Sequence, residues 1–312
     1  MADGVVLDAL SIPPPGADGT QETRAWAVAG DGTRLFVRSR PGVHPERTLR
    51  AFLCDGVLCD GFIWKYLWDD VAREIAVTHW HYRGHGRSAP PSDPDRIDIA
   101  THADDLMRVR ALAGDPPAVL FGHSMGCQVA LENYRSHPEN VRALVLMCGS
   151  FGNVTTTFHG VPILDLLLPK LLAVAEKNPE LVRAVWSRIP PEMALRLALR
   201  LGEVDPQRTR TDDFIPYLKH MTHVDFPMFL RMVRAAGEHT AEDLLPHIRV
   251  PTLIVAGERD TFTPAHLAEA MQRAIPGAEL LMLAGGSHVA PIEQHALVAE
   301  RVTAFLRERA LA

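Results

Sequence analysis

Short apolar runs alternate with amphipathic stretches along most of this chain, and this alternation restricts its fold more than any other feature. The runs are continuous, which is typical of parallel strands that are buried on both faces of a sheet. They lie at positions 50–54, 75–79, 118–122, 143–148, 252–256 and 279–283. Helices are predicted between them, near positions 64–73, 99–112, 125–136, 264–275 and 295–308. The pattern therefore predicts an α/β fold with a doubly wound, mostly parallel sheet.

Two segments fall outside this alternation. Gly30-Asp31-Gly32 separates two alternating apolar segments, which predicts an N-terminal hairpin. Between about 153 and 240 the periodicity is helical throughout, and we interpret this stretch as an inserted helical lid. The predicted organisation is a loose arm over residues 1–22, a core over 23–152 and 241–312, and the lid over 153–240.

Charge and hydropathy exclude several classes of partner. The formal net charge is −6, so no basic field indicates binding to nucleic acid or to an anionic membrane. The longest apolar run, 161–175, is too short and too interrupted to span a bilayer. The N-terminus lacks the features of a signal peptide, and the four cysteines lack disulfide or CxxC spacing. We therefore expect reduced thiols, a cytoplasmic protein and a small-molecule substrate.

The segment Gly122-His123-Ser124-Met125-Gly126 contains the pattern G-x-S-x-G between a predicted strand and a predicted helix. Such a turn holds its serine in a strained conformation, with the hydroxyl exposed above the sheet. A serine nucleophile needs a histidine base and an acid that orients the base. Asp260 and His288 each follow a later predicted strand, in the order that this arrangement requires. Glu258 is a neighbouring acid, but Asp260 fits the end of its turn better.

Several segments together resemble the α/β-hydrolase superfamily, in its lid-bearing, serine-esterase-like branch. The resemblance extends from about Ala27 to the C-terminus. The matching segments are Asp55-Gly56, RGHGRS at 83–88, the G-x-S-x-G segment, Gly257-Glu258-Arg259-Asp260, and His288. They are specific for the fold and poorly specific for the substrate, because this fold hosts many reactions.

The resemblance also implies an oxyanion hole. In this superfamily a His-Gly-x turn usually follows the first parallel strand, and the residue after glycine donates its backbone N–H to the oxyanion. Cys54-Asp55-Gly56-Val57 stands at that place, so the match implies that the Val57 and Met125 amides are the donors. Asp55 replaces the usual histidine, and we expect its carboxylate to hydrogen-bond within its own turn.

The predicted substrate pocket includes Asp55 and His123, which are neighbours of the oxyanion loop and the nucleophile. Four lid residues either line this pocket or pack the lid onto the core, and the sequence favours neither interpretation. They are Phe214, Met228, Phe229 and Met232.

Histidines and cysteines elsewhere do not predict a metal site. His79, His81 and His85 are close in sequence, but no carboxylate stands where it would complete a hydrolytic metal site. Cys54 and Cys59 are not accompanied by a second Cys or His pair. Cys127, just after the nucleophile, fits a buried packing thiol better than a second nucleophile.

The triad and the resemblance together favour a serine hydrolase that cleaves a carboxylic ester of a small, mostly apolar substrate. The reaction would pass through an acyl-enzyme on Ser124 and would need no cofactor. A thioesterase or acyl-carrier methyl esterase, a lactonase, a carbon–carbon hydrolase and a cofactor-free perhydrolase remain alternatives. Epoxide hydrolase and haloalkane dehalogenase chemistry is disfavoured, because those relatives carry aspartate at the position of Ser124. A non-catalytic ligand-binding protein of the same fold also remains open.

Overall fold

The computed structural model of the chain describes residues 22–152, 163–201 and 203–311. Most of the predicted N-terminal arm and the first ten residues of the predicted lid lie outside these ranges. Eight strands form one sheet in the order β1-β2-β4-β3-β5-β6-β7-β8. The strands are β1 Thr23–Val28, β2 Arg34–Arg40, β3 Arg50–Cys54, β4 Ala76–Trp80, β5 Ala118–His123, β6 Val141–Met147, β7 Thr252–Gly257 and β8 Glu279–Leu283.

The sheet is antiparallel only at its N-terminal edge. β1 pairs with β2 and β2 pairs with β4 in antiparallel fashion, while the remaining neighbours run parallel. The predicted α/β class, the hairpin and the mostly parallel sheet are therefore confirmed. The strand that was expected at 143–148 begins two residues earlier, and the strand expected at 75–79 is shifted by one residue.

Helices cover both faces of the sheet and also fill the stretch between β6 and β7. They are α1 Leu67–Ala72, α2 Ile99–Leu112, α3 Met125–Ser136, α4 Ile163–Lys177, α5 Pro179–Trp186, α6 Pro191–Leu201, α7 Thr211–Met221, α8 Phe226–Glu238, α9 Ala265–Ala274, α10 Ala290–Glu293 and α11 His295–Phe305. The helix predicted near 64–73 is instead a 3-10 turn, Phe62–Trp64, followed by the short helix α1. No helix of the described residues is both long and apolar enough to cross a membrane.

The continuous apolar character of the central strands has a direct structural cause. Successive side chains of a strand point to opposite faces, so neighbours enter different cores. Phe52 packs in the core cluster on one face of the sheet, and Leu53 packs in the cluster on the other. Leu120 and Phe121 divide in the same way. Both faces are covered by helices, so neither can carry polar side chains at low cost.

We call helices α4–α8 the inserted helices. Their packing onto the core includes ionic contacts as well as apolar ones: the buried carboxylate of Asp213 on α7 accepts hydrogen bonds from Lys65 and Tyr66 of the core. Parallel pairing places the carboxyl ends of β3, β5, β7 and β8 along one edge of the sheet. The loops that leave these four strands therefore meet at that edge.

Candidate active site

Ser124 stands at a sharp turn between β5 and α3. Its backbone has φ 55° and ψ −122°, a conformation that non-glycine residues rarely adopt and that stores strain. The turn is closed by hydrogen bonds from the Ser124 amide to Met147 O (3.1 Å) and from the Cys127 amide to Ser124 O (3.0 Å). A Cβ atom at Gly126 would lie 2.1 Å from Cys54 O, so only glycine allows this turn to pack against the loop after β3.

His288 and Asp260 reach Ser124 from the loops that follow β8 and β7. His288 Nε2 lies 3.0 Å from Ser124 Oγ, and His288 Nδ1 lies 2.9 Å from Asp260 Oδ2. A carboxylate only accepts hydrogen bonds, so His288 Nδ1 carries the proton and Nε2 faces the hydroxyl with its lone pair. In this tautomer the imidazole can take the proton of Ser124.

Asp260 is itself held rigidly. It is 4% exposed, and it accepts hydrogen bonds from the amides of Phe262 (2.9 Å) and Thr263 (2.9 Å) and from Thr263 Oγ1 (2.8 Å). These bonds orient the carboxylate toward His288. The Phe262 ring also covers one side of the imidazole, with 4.8 Å between ring centroids. Phe262 and Thr263 were not predicted as site residues, although the Asp-x-Phe-Thr turn is a sequence signal for a side-chain-capped loop.

The loop after β3 lies directly against the nucleophile. A Cβ atom at Gly56 would be 3.1 Å from Ser124 Cβ, which places the following residue, Val57, beside the serine. Among the described residues, neither the Val57 amide nor the Met125 amide donates to a backbone carbonyl. The assignment of these two amides to an oxyanion hole stays a prediction.

The Asp55 carboxylate points away from Ser124 and into the protein. It is fully buried, accepts a hydrogen bond from Trp64 Nε1 (2.7 Å) and pairs with His79 Nε2 (2.8 Å). The partners lie beyond its own turn, unlike the local hydrogen bonding that we expected. Asp55 therefore lies behind the oxyanion loop and does not line a substrate pocket.

Arg38 completes this buried group and fixes the tautomer of His79. Its Nε–H donates to His79 Nδ1 (3.2 Å), so His79 carries its proton on Nε2 and donates it to Asp55. Burial, with a further contribution from the Arg38 charge, holds the pKa of His79 well below its usual value. Burial raises the pKa of Asp55 to about 7, although the Trp64 hydrogen bond and the Arg38 charge oppose this rise.

The other sequence-predicted pocket residues are mostly packed side chains. His123 is buried, and its Nε2 donates to the His288 carbonyl (3.1 Å). Burial, then the neighbouring His288, lowers the pKa of His123 to about 3, so this imidazole stays neutral. Its contact with the His288 backbone supports the base, and its assignment to the pocket stays a prediction.

The four residues of the inserted helices contact the core or one another. Phe214 packs its ring on Phe62, at 5.0 Å between centroids, and Met228 is packed against the turn at Gly84. Met232 is fully buried in the core cluster, whereas Phe229 is only partly buried and lies near Trp186. These contacts favour the packing interpretation for Phe214, Met228 and Met232.

Histidines and cysteines that resembled a ligand set have other partners. His81 Nδ1 accepts from the Arg87 amide, and His85 Nδ1 donates to Arg83 O. Within the described ranges, no three His, Cys, Asp or Glu side chains form a group that could hold a metal ion. All four cysteines are buried and free of disulfides. Burial raises the pKa of Cys127 to about 12, which disfavours the thiolate that a nucleophilic cysteine requires.

Comparison with known proteins identifies the family to which this fold belongs. The model of the alpha/beta hydrolase family matches residues 56–301. The chain therefore belongs to the alpha/beta hydrolase family, and this supports a hydrolase activity.

Individual relatives and structures add detail. The chain is 30% identical over 238 residues to a pimeloyl-[acyl-carrier protein] methyl ester esterase of Neisseria meningitidis serogroup B, which covers 74% of this chain and 84% of the relative. It is 29% identical over 262 residues to the polyketide synthase ThaQ of Burkholderia thailandensis; the match covers 83% of this chain but only 12% of that much longer protein. A solved esterase from Exiguobacterium antarcticum superposes with a TM-score of 0.73 at 20% identity, covering 92% of this chain and all of that one, which shows a shared fold.

Proposed function

We propose that this protein is a serine hydrolase that cleaves a carboxylic ester of a small, mostly apolar substrate. One observation carries the proposal: Ser124 Oγ lies 3.0 Å from His288 Nε2, while the other ring nitrogen lies 2.9 Å from the Asp260 carboxylate. This is the arrangement that general-base activation of a serine requires. The strained backbone at Ser124 and the adjacent Val57 and Met125 amides support the same reaction.

In this mechanism His288 removes the Ser124 proton as Oγ attacks the acyl carbon. Asp260 keeps the imidazole oriented and stabilises its charged form. The Val57 and Met125 amides donate to the oxyanion of the tetrahedral intermediate, and each such donor typically contributes about 10²–10³ to turnover. His288 then gives its proton to the leaving alcohol. A water molecule activated by His288 releases the acyl group from Ser124.

The inserted helices would act as a lid that excludes bulk water from the acyl group. A carrier-linked acyl ester is the second candidate substrate, because one relative is named for a methyl ester on an acyl-carrier protein. A polyketide synthase among the relatives also favours carrier-linked acyl chemistry. We propose a cytoplasmic location for the protein.

The proposal is tested by a substrate panel of matched esters, thioesters and lactones, compared by kcat/KM. We expect p-nitrophenyl esters of short acyl chains to be hydrolysed, and Ser124→Ala to lose roughly 10⁴-fold or more in kcat because the nucleophile is removed. Ester hydrolysis by Ser124→Ala at the wild-type rate would overturn the assignment. A preference for thioesters or lactones over esters would retain the triad and replace the substrate class.

A further inference from the structure

Glu293 is a buried carboxylate that the triad does not use. It ends the short helix α10, five residues after His288, and is 7% exposed. Its Oε2 accepts a hydrogen bond from the Ser287 amide (3.0 Å), and its Oε1 accepts one from Ser287 Oγ (2.7 Å). Ser287 immediately precedes His288, so these hydrogen bonds to Glu293 hold the loop that carries His288.

The same carboxylate also reaches the inserted segment. Glu293 Oε1 accepts a hydrogen bond from the Asp205 amide (2.7 Å), in the connection between α6 and α7. No lysine or arginine of the described residues forms an ion pair with Glu293, so neutral donors alone hold this charge. Hydrogen bonds to an ionised acceptor are shorter and about twice as strong as neutral ones. The carboxylate therefore fixes three donor groups, the Asp205 amide and the amide and hydroxyl of Ser287, at defined positions.

A second contact joins the same connection to the acid loop. Glu203, two residues before Asp205, accepts a hydrogen bond from Thr261 Oγ1, and Thr261 follows Asp260 directly. Residues 203–205 thus contact the chain next to both Asp260 and His288. A displacement of this connection would therefore shift the loops that carry Asp260 and His288 at the same time.

We propose that Glu293 is a positioning residue that holds the His288 loop in register with Ser124 and joins it to the inserted segment at Asp205. The inference rests on the proposed function, since it concerns the base of that triad. Its physical basis is geometric: the His288–Ser124 hydrogen bond is 3.0 Å, and proton transfer requires that distance to be kept. Glu293 itself touches neither the nucleophile nor the acid, so its effect must pass through the loop.

The test combines kinetics with hydrogen exchange on the full-length protein. Glu293→Gln replaces one acceptor oxygen with an NH₂ group that faces donors, and the matched control is Glu300→Gln on the exposed side of α11. We expect Glu293→Gln to lower kcat by about 10- to 100-fold, because small misplacements of reacting groups carry losses of that size. KM should change by less than about threefold, since the substrate contacts are retained. Glu300→Gln should match the wild type.

Hydrogen exchange distinguishes positioning from general destabilisation. Peptides covering 203–210 and 284–290 should exchange faster in Glu293→Gln, while peptides of β5 and β6 should keep wild-type protection. Unchanged kcat, or faster exchange in all peptides together, would overturn the proposal. If Glu293→Gln does not fold, Ser287→Ala decides, with an expected three- to tenfold loss of kcat; no loss would overturn the proposal. A wild-type protein without esterase activity would instead refute the proposed function, and the exchange experiment would still test the link to Asp205.

Discussion

The described residues include two hydrogen-bonded aspartate–histidine pairs, His288–Asp260 and His79–Asp55, whose histidines face different partners. In both pairs the imidazole donates to the carboxylate, at 2.9 Å for His288 and Asp260 and at 2.8 Å for His79 and Asp55. The difference is the partner of the second ring nitrogen. His288 faces the hydroxyl of Ser124, which can give up its proton, whereas His79 accepts from Arg38, which cannot.

An aspartate–histidine pair can therefore act as a catalytic base only where the second ring nitrogen of the histidine faces a group that can give up a proton. The His288 side chain is 14% exposed and sits at the edge of the sheet, where a substrate can arrive. His79 is fully buried between Arg38 and Asp55, and it stabilises the loop that carries Gly56 and Val57. In the mechanism we propose, the His288–Asp260 pair moves a proton, and the His79–Asp55 pair holds the Val57 amide in place.

Replacement of Asp260 by asparagine should give the largest effect that separates the two pairs. Asparagine favours the wrong tautomer of His288, and loss of the equivalent carboxylate in serine proteases lowers kcat by about 10⁴. Stability should change little, because the Phe262 and Thr263 donors retain one acceptor. Steady-state kinetics and thermal melting of Asp260→Asn measure both quantities. A large loss of stability with kcat preserved would mean that Asp260 has the structural role instead.

Replacement of Asp55 by asparagine should show the reverse pattern. It puts an NH₂ group where one oxygen of Asp55 accepts from Trp64 or His79, and leaving a buried donor without its acceptor typically costs about 1–3 kcal/mol. The loss of kcat should stay below about 10²-fold, since only the position of the Val57 amide is affected. Urea denaturation and kinetics of Asp55→Asn test this. If Asp55→Asn loses as much activity as Asp260→Asn while it remains fully folded, the two pairs do not have the separate roles proposed here.

The pH dependence of Asp55→Asn should also differ from that of the wild type. The pKa of Asp55 is about 7 in the folded protein and about 3.9 in an unfolded chain. Between these values the folded state keeps a proton that the unfolded chain releases, so Asp55 favours folding as the pH falls. Buried His102, whose pKa burial lowers to about 3, acts in the opposite direction, because it takes up a proton only on unfolding.

Without Asp55, no proton uptake in the folded state offsets the loss of stability that buried histidines such as His102 cause as the pH falls. The free energy of unfolding of Asp55→Asn should therefore decline more steeply than that of the wild type between pH 7 and pH 4, by up to about 1.4 kcal/mol per pH unit. Urea titrations at several pH values give both curves. Parallel curves would contradict the raised pKa of Asp55.

The sequence predicted the parts of this arrangement that depend on local pattern. The strand periodicity placed β3, β5, β7 and β8, and the residues that follow these strands were therefore expected at one edge of the sheet. The position of Ser124, Asp260 and His288 follows from that reasoning, because parallel strands all present their carboxyl ends together. The 3-10 turn Phe62–Trp64 before α1 was missed, since the apolar spacing alone does not distinguish a 3-10 turn from an α-helix.

Contacts between distant segments could not be predicted in the same way. Asp55 contacts His79, and His79 contacts Arg38, with His79 and Arg38 on two other strands. A single sequence does not reveal which side chains a strand order brings together. The Glu293–Asp205 contact crosses 88 positions and joins a short helix to an irregular connection. Neither element has a periodicity that would indicate its partner.

The assignment of Ser124 as the nucleophile activated by the His288–Asp260 pair is tested by mass spectrometry of the protein after reaction with a fluorophosphonate, followed by peptide mapping. We expect one adduct, on the peptide that contains Ser124, together with complete loss of ester hydrolysis and no adduct on Ser124→Ala. An adduct on another residue, or undiminished hydrolysis after Ser124 is fully labelled, would show that Ser124 is not the nucleophile.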